Sequence, residues 1–241
     1  MPYFLIISLF LSININASIA EASIIRMAIT GLPGAGKSTQ IELLLKKYPN
    51  TKLLYLGQAL RDHVANKEKY TDIILKHHYD SKQIPSYIIK ELNNKMFSAL
   101  KEGEGFILDN RMYDTGYYYN LFKSKGFSDT KILFFGGDLK VFAERKAKRS
   151  FCAKECNSKY KLSHNPECSK KKCIGNEMMR PEDEPSAIMS ILKEQQAQLE
   201  PVKSFWEKQK EFAFKYIDAT RSIDEIHQEI VSYIEGEKTE L

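Results

Sequence analysis

The sequence predicts an α/β fold in which a five-stranded parallel sheet carries helices on both faces. Three observations support this prediction. Short apolar segments alternate with longer segments of helical periodicity, a glycine-rich motif follows the first apolar segment, and one polar, cysteine-containing segment interrupts the alternation. Strands and helices in alternation imply crossover connections, and such connections join parallel strands.

The predicted strands are five short apolar runs bounded by Gly, Asp or Pro. Continuous apolar runs are typical of parallel strands, because both faces of such a sheet are covered by helices. The five runs are residues 24–30, 52–56, 105–109, 131–135 and 213–217.

The segments between these runs predict the helices. Residues 37–48, 86–100 and 138–148 place apolar side chains three and four positions apart, as an amphipathic helix does. Residues 185–210 predict one long helix with a bend at Pro201. Residues 151–179 break the pattern, because they are polar, rich in lysine and contain all four cysteines.

Length and composition indicate one compact globular unit with an insertion. The chain has 241 residues, of which 43% are hydrophobic and 28% charged. These values are ordinary for a protein with its own core. They exclude a disordered, collagen-like or multi-span membrane protein.

The N-terminal residues allow two interpretations. Residues 4–15 are almost wholly apolar but too few to span a bilayer, and Ala20 ends a segment that suits a signal peptidase. No Lys or Arg precedes Arg26, so the basic start of a signal peptide is missing. Either residues 1–20 are a signal peptide and the protein is exported, or translation starts downstream and the protein is cytoplasmic. Both interpretations of the N-terminus stay open, and the location that we predict is the cytoplasm, with export as the alternative.

The glycine-rich motif is the strongest functional signal. Gly31-Leu-Pro-Gly-Ala-Gly-Lys-Ser38 fits the phosphate-loop pattern and lies between a predicted strand and a predicted helix. Its glycines allow the backbone to curl around a phosphate with the N–H groups pointing inward. Lys37 would then reach the β- and γ-phosphates, and the hydroxyl of Ser38 would bind Mg²⁺.

A second group of candidate residues follows the third predicted strand. Asp109 ends that strand and would hold Mg²⁺ opposite the phosphate loop, with Arg111 within reach of a phosphate. The alternative is that Asp109 caps the next helix. Arg145 and Arg149 form a third group on one helix face, where they would stabilise the charge of a transferring phosphoryl group. A solvated helix face is the alternative for this pair.

The order and spacing of these motifs resemble the nucleoside monophosphate kinases, and most of all the adenylate kinases, over residues 24–234. Besides the phosphate loop, the resemblance rests on segments in seven places. They are Leu56-Gly-Gln-Ala-Leu-Arg61, Lys82-Gln-Ile-Pro85, Gly105-Phe-Ile-Leu-Asp109, Glu144-Arg145 with Arg149, Arg180-Pro-Glu-Asp183, Glu200-Pro-Val202 and Ile217-Asp-Ala-Thr-Arg221.

The resemblance implies phosphoryl transfer from ATP to a nucleoside monophosphate, with AMP as the acceptor. The implied catalytic residues are Lys37, Arg149 and Arg180. The implied ATP ligands are Gly34, Ala35, Gly36, Lys37, Ser38, Thr39, Arg145 and Arg149. The implied acceptor ligands are Arg61, Gln83, Arg111 and Tyr117. Mg²⁺ would accompany ATP, held by Ser38 and Asp109.

The resemblance also implies a division of the chain. Residues 1–22 form the N-terminal tail, and residues 23–148 with 181–241 form the core. An acceptor-binding segment at about 54–100 lies within that core. Residues 149–180 are inserted as a lid.

Two positions depart from the adenylate kinase pattern. Tyr113 and Ile191 stand where that family has arginines on the phosphates. The segment from Asn110 to Asn120 instead resembles the D-R-Y-x-x-S-x-x-A-Y-Q segment of thymidylate kinases, in which the arginine binds the acceptor phosphate. One alternative is therefore a thymidylate or other nucleoside monophosphate kinase, and another is a catalytically impaired nucleotide-binding protein.

The four cysteines predict a structural Zn²⁺ site in the inserted segment. They form two close pairs, which suits a tetrahedral thiolate site in a loop with little core of its own. If the protein is exported, the same even number would form two disulfides. The four candidate ligands are Cys152, Cys156, Cys168 and Cys173.

The net charge of +5 is concentrated in one part of the chain. Residues 144–173 contain ten lysines and arginines against three glutamates, so the rest of the chain is slightly acidic. A basic flap of this kind suits a lid over nucleotide phosphates and argues against a nucleic-acid-binding surface. The expected partners are therefore small-molecule nucleotides, with no nucleic acid and no stable membrane association. The resemblance implies a monomer.

Overall fold

The computed structural model describes residues 24–79, 83–148, 151–152, 177–178 and 185–236. The predicted N-terminal tail, residues 1–22, lies outside this part of the chain, as does most of the predicted lid, residues 149–180. Arg149, Arg180 and the side chains of all four cysteines are therefore outside the described residues.

Five strands form one parallel sheet, as predicted. They are β1 (Arg26–Gly31), β2 (Thr51–Tyr55), β3 (Gly105–Asp109), β4 (Lys131–Gly136) and β7 (Phe214–Asp218). Their order across the sheet is β2-β3-β1-β4-β7, so the first strand of the chain lies at the centre. All four pairings are parallel.

Helices connect these strands and cover the sheet. The described helices are α1 (Lys37–Lys47), α2 (Leu56–Ala65), α3 (Thr71–Tyr79), α4 (Ser86–Ser98), α5 (Thr115–Ser124), α6 (Leu139–Ala147), α7 (Pro185–Lys208) and α8 (Ile223–Glu235). The long helix α7 continues through Pro201.

The central strands are buried because helices pack on both faces of the sheet. The side chains of Met27, Ile107 and Leu133 on the three inner strands are fully buried. The core extends to Trp206 of α7 and Ile230 of α8. A second, smaller apolar cluster joins Leu56, Ile74, Ile88 and Leu92 of α2, α3 and α4, so these helices form their own packed unit beside the sheet.

The ends of the inserted segment lie side by side. β5 (Phe151–Cys152) pairs in antiparallel fashion with β6 (Glu177–Met178), with Cys152 opposite Glu177. In the chain, β5 comes after α6 and β6 comes before α7. None of the described helices is long and apolar enough to cross a bilayer.

Candidate active site

The first glycine of the phosphate loop packs closely against a neighbouring strand of the sheet. Gly31 ends β1 with a φ of +130°, and a Cβ at this position would lie 2.2 Å from the carbonyl oxygen of Phe135 on β4. Gly34 has a φ of +85°, and a Cβ there would lie 2.7 Å from the Phe142 carbonyl of α6. Only glycine satisfies both the conformation and the close approach of the neighbouring backbone.

Gly36 has a different environment, because its Cβ would meet nothing within 4 Å. It adopts the left-handed conformation at the N-cap of α1, where no side chain caps the helix and the first turn contains no acidic residue. The uncapped N–H groups and the helix dipole favour an anion at this position. The loop therefore presents an open, electropositive face beside Gly36, as the phosphate-loop motif predicts.

The ammonium group of Lys37 turns back over the loop. Its Nζ donates hydrogen bonds to the carbonyls of Gly31 at 2.8 Å and Leu32 at 3.0 Å. Ser38 is exposed beside it, whereas the side chain of Ala35 is buried and offers only backbone groups to a ligand.

Asp109 lies at the carboxyl edge of β3, between the ends of β1 and β2. It is in register with Ile29 of β1 and with Tyr55 of β2. Burial raises the pKa of its carboxyl group, and the nearby charges of Lys37 and Arg111 partly oppose that rise. The hydrogen bonds of the described residues include none to this carboxylate. Asp114, and not Asp109, caps the next helix, by accepting a hydrogen bond from the Tyr117 N–H at 3.0 Å.

Arg111 lies in a tight turn directly after β3. The next residue, Met112, is fully buried and has a φ of +52°, which is uncommon for a residue with a side chain. The Thr30 hydroxyl donates to the Arg111 carbonyl at 3.2 Å, and the Arg111 guanidinium donates to the Tyr113 hydroxyl at 3.2 Å. The turn therefore directs an exposed guanidinium toward the edge that also carries Asp109 and Lys37.

Arg61 lies on α2 of the predicted acceptor-binding segment. Its guanidinium is exposed, lies 5.2 Å from the centre of the Tyr55 ring and donates to the Gln58 side chain at 2.8 Å. Because Tyr55 is the neighbour of Asp109 in the sheet, Arg61 flanks the same edge. Gln83 is exposed at the start of the connection to α4.

The three consecutive tyrosines of α5 have separate surroundings, as expected from the helical twist. The Tyr117 hydroxyl lies 3.3 Å from both the Lys90 carbonyl and the Asn94 side chain of α4, and burial raises its pKa to about 12. Tyr118 is fully buried, and Tyr119 packs on Phe212. Of the three, Tyr117 borders the predicted acceptor-binding segment.

Arg145 is held by the backbone after β7. Its guanidinium donates to the carbonyls of Ala219 at 2.5 Å, Thr220 at 3.2 Å and Arg221 at 3.3 Å. Arg145 therefore fixes this loop against α6, an arrangement that the sequence does not reveal. A nucleotide could use this guanidinium only on the faces that the carbonyls leave open.

A buried polar cluster behind the Arg111 turn was not predicted from the sequence. The fully buried hydroxyl of Tyr118 accepts hydrogen bonds from the side-chain amides of Asn93, at 2.8 Å, and Asn110. Amide and hydroxyl side chains on separate elements carry no sequence signal of this kind, since only the fold brings them together.

The fold and this site define a class of protein. A parallel sheet with a glycine-rich loop between its central strand and the following helix, and a half-buried carboxylate at the end of the neighbouring strand, is the architecture of a P-loop kinase. A protein-family model described as an AAA domain matches residues 30–155, more than half of the chain. The chain belongs to this family.

Individual relatives are similar over most of their length. An adenylate kinase of Clostridium novyi (strain NT) is 25% identical over 88% of this chain and 100% of its own. An adenylate kinase of Lactobacillus helveticus (strain DPC 4571) is 29% identical over 76% of this chain and 87% of its own length. An adenylate kinase of Anaeromyxobacter sp. (strain Fw109-5) is 26% identical over 75% of this chain and 86% of its own length. These matches confirm the resemblance predicted from the motifs and support a nucleotide-binding kinase.

Proposed function

We propose that this protein transfers the γ-phosphoryl group of ATP to a nucleoside monophosphate, with AMP as the preferred acceptor. The convergence of Lys37, Asp109 and Arg111 at one edge of the sheet carries the proposal. Lys37 and the loop amides would hold the donor phosphates, while Arg111 and Arg61 would hold the acceptor phosphate. The attacking atom is a phosphate oxygen, so the reaction needs no side-chain base.

Mg²⁺ would enter this site with ATP. The donor set fits the ion, because the Ser38 hydroxyl and the Asp109 carboxylate are oxygen ligands at the mouth of the phosphate loop. The Asp109 carboxylate is costly to ionise where it lies, and a divalent cation beside it would offset that cost. Bound Mg²⁺ would neutralise charge that develops between the β- and γ-phosphates.

Water must be excluded during the transfer, since it would otherwise accept the phosphoryl group. We propose that the inserted segment supplies this cover, with Arg149 and Arg180 reaching the phosphates from its two ends. The paired strands Phe151–Cys152 and Glu177–Met178 support this proposal, because they bring two ends of the segment together in an antiparallel pair after α6.

A thymidylate-type acceptor is the second candidate. It is favoured by the Arg111 turn, because Arg111 is oriented by the Tyr113 hydroxyl where adenylate kinases have an arginine of their own.

A coupled assay of the purified protein with ATP and each of AMP, CMP, UMP, GMP and dTMP tests the proposal. We expect turnover with AMP to exceed turnover with each of the others, and dominance of dTMP would favour the second candidate instead. ATP binding without turnover on any acceptor would contradict both and indicate an impaired nucleotide-binding protein.

A further inference from the structure

The turn that presents Arg111 rests on a buried hydrogen-bond chain. Asn110 begins the turn, and its side-chain oxygen accepts from the Met112 N–H at 3.1 Å. The amide nitrogen of the same side chain donates to the Tyr118 hydroxyl. One asparagine thus closes the turn and ties it to α5.

The same hydroxyl reaches the acceptor-binding segment. Tyr118 accepts a hydrogen bond from Asn93 of α4 at 2.8 Å, and both side chains are almost completely buried. Burial raises the pKa of Tyr118, so its hydroxyl stays neutral at any working pH. A buried amide N–H group that loses its acceptor is expensive, so the Tyr118 hydroxyl stabilises the positions of both asparagine side chains.

We propose that Tyr118 is a positioning residue for the acceptor nucleotide: its hydroxyl holds the Asn110 turn against α4 and thereby aims Arg111 at the acceptor phosphate. The inference rests on the proposed function. Tyr118 is buried behind the turn, so its hydroxyl would act on the acceptor through Arg111 and not by direct contact. The Thr30 hydroxyl fixes the opposite side of the turn through the Arg111 carbonyl at 3.2 Å.

The substitution Tyr118→Phe removes the shared hydroxyl and leaves the ring in place. We expect KM for the acceptor to rise about tenfold, since two hydrogen bonds that orient the turn are lost. KM for ATP should change less than about twofold, because the donor phosphates are held by the loop after β1. Tyr48→Phe is the matched control: it removes a hydroxyl from another buried tyrosine, which donates to Glu235 at 3.1 Å far along the chain.

A double-mutant cycle with Arg111→Lys separates positioning from general stability. If Tyr118 acts through Arg111, Tyr118→Phe will have little further effect on the acceptor KM once Arg111 is replaced. Multiplicative effects of the two substitutions would overturn the inference, as would an equal rise of both KM values. If Tyr118→Phe does not fold, Asn110→Ala is the second variant, because it removes the hydrogen bond between the turn and the Tyr118 hydroxyl. It must give the same rise in the acceptor KM, with the ATP KM unchanged.

Equilibrium binding distinguishes failure of this inference from failure of the proposed function. If the wild-type protein phosphorylates a monophosphate and Tyr118→Phe leaves the acceptor KM unchanged, only the positioning role is wrong. If the wild-type protein shows no turnover, calorimetric titration of AMP and ATP into the same variants decides: selective loss of AMP affinity in Tyr118→Phe supports the positioning role. Equal affinities in variant and wild type overturn it.

Discussion

The Lys37 ammonium group donates hydrogen bonds to two carbonyls of its own loop. These bonds keep the charge at the mouth of the loop, so little rearrangement is needed when phosphate oxygens replace the carbonyls. Such preorganised charge contributes most where negative charge moves during the reaction.

We therefore expect Lys37→Met to reduce kcat about 10²- to 10³-fold. The melting temperature should change little, since the aliphatic stem is kept. Steady-state kinetics and a thermal melt measure the two quantities. Lys47→Met is the control, because Lys47 forms a surface ion pair with Glu235 at 3.1 Å away from the loop. A similar loss of kcat in both variants would contradict the role of Lys37.

Asp109 is expected to lower stability while it serves the reaction. Its pKa is raised by burial, so the folded protein holds the proton more tightly than the unfolded chain does. Stability therefore falls as the pH rises from the ordinary pKa of this carboxyl group through its raised pKa, so ionising the carboxyl group in the folded protein is a cost.

Asp109→Asn should accordingly raise the melting temperature at pH 7 and abolish Mg²⁺-dependent turnover. The wild-type protein should lose Mg²⁺-dependent activity as the pH falls through the raised pKa, because the proton competes with the cation. Thermal melts and activity assays across acidic pH test both statements. A lower melting temperature for Asp109→Asn at neutral pH would contradict the conclusion that this carboxyl group is costly to ionise in the folded protein.

Among the secondary-structure elements, the strands could be predicted to within two residues at each end. A parallel strand that is covered on both faces consists of a short apolar run, so its position can be predicted from the sequence. Helix α2 was not predicted, since it begins at Leu56 directly after β2, and its N-cap residue Tyr55 makes no side-chain cap. Helix α8 was also missed, although Ser222 and Glu225 form a capping box that the sequence displays.

The candidate site was less predictable than the sheet. The phosphate loop and Asp109 follow from local motifs, because both lie where a strand ends. The surroundings of Arg145 and Tyr118 depend on elements far apart in the chain, and no local pattern encodes such contacts. The sequence therefore predicts which residues form the site, whereas their contacts with distant elements can be known only from the fold.

The glycines of the phosphate loop allow a test that separates strain from function. Gly36 and Gly103 have nearly the same left-handed conformation, with φ of +81° and +78°, and a Cβ at either would meet nothing within 4 Å. Replacing either by alanine should cost about 1 kcal/mol of stability. Only Gly36 lies where a phosphate would approach the backbone.

We expect Gly36→Ala to reduce ATP affinity at least about tenfold, because the added methyl group occupies the phosphate position. Gly103→Ala should bind ATP as the wild type does, with the same loss of stability. Calorimetric titration with Mg-ATP and chemical denaturation provide the two measurements. Equal ATP affinity in the two variants would exclude phosphate binding at Gly36.

At the scale of the whole molecule, the main chemical question is whether the cysteines of the predicted lid bind a metal ion. We expect one Zn²⁺ per chain, bound by the four cysteines, and elemental analysis of protein purified without chelator measures it directly. Removing the metal should lower the melting temperature of the lid without unfolding the core, since the sheet has its own apolar interior. A zinc content near zero would leave disulfides or free thiols, which thiol titration distinguishes.

The sheet order also dictates when the site can form during synthesis. Of the five strands, β1 is made first, yet Arg26 pairs with Phe106 and Met27 with Lys131. The central strand therefore has no neighbour until about 80 further residues exist, and no second neighbour until more than a hundred do. Gln40 of α1 then bonds to the Ile223 carbonyl at 2.8 Å and lies 3.2 Å from His227, both at the C-terminal helix. The helix that follows the phosphate loop thus gains these contacts only after residues 223–227 have been made, so the nucleotide site depends on segments far apart in the chain.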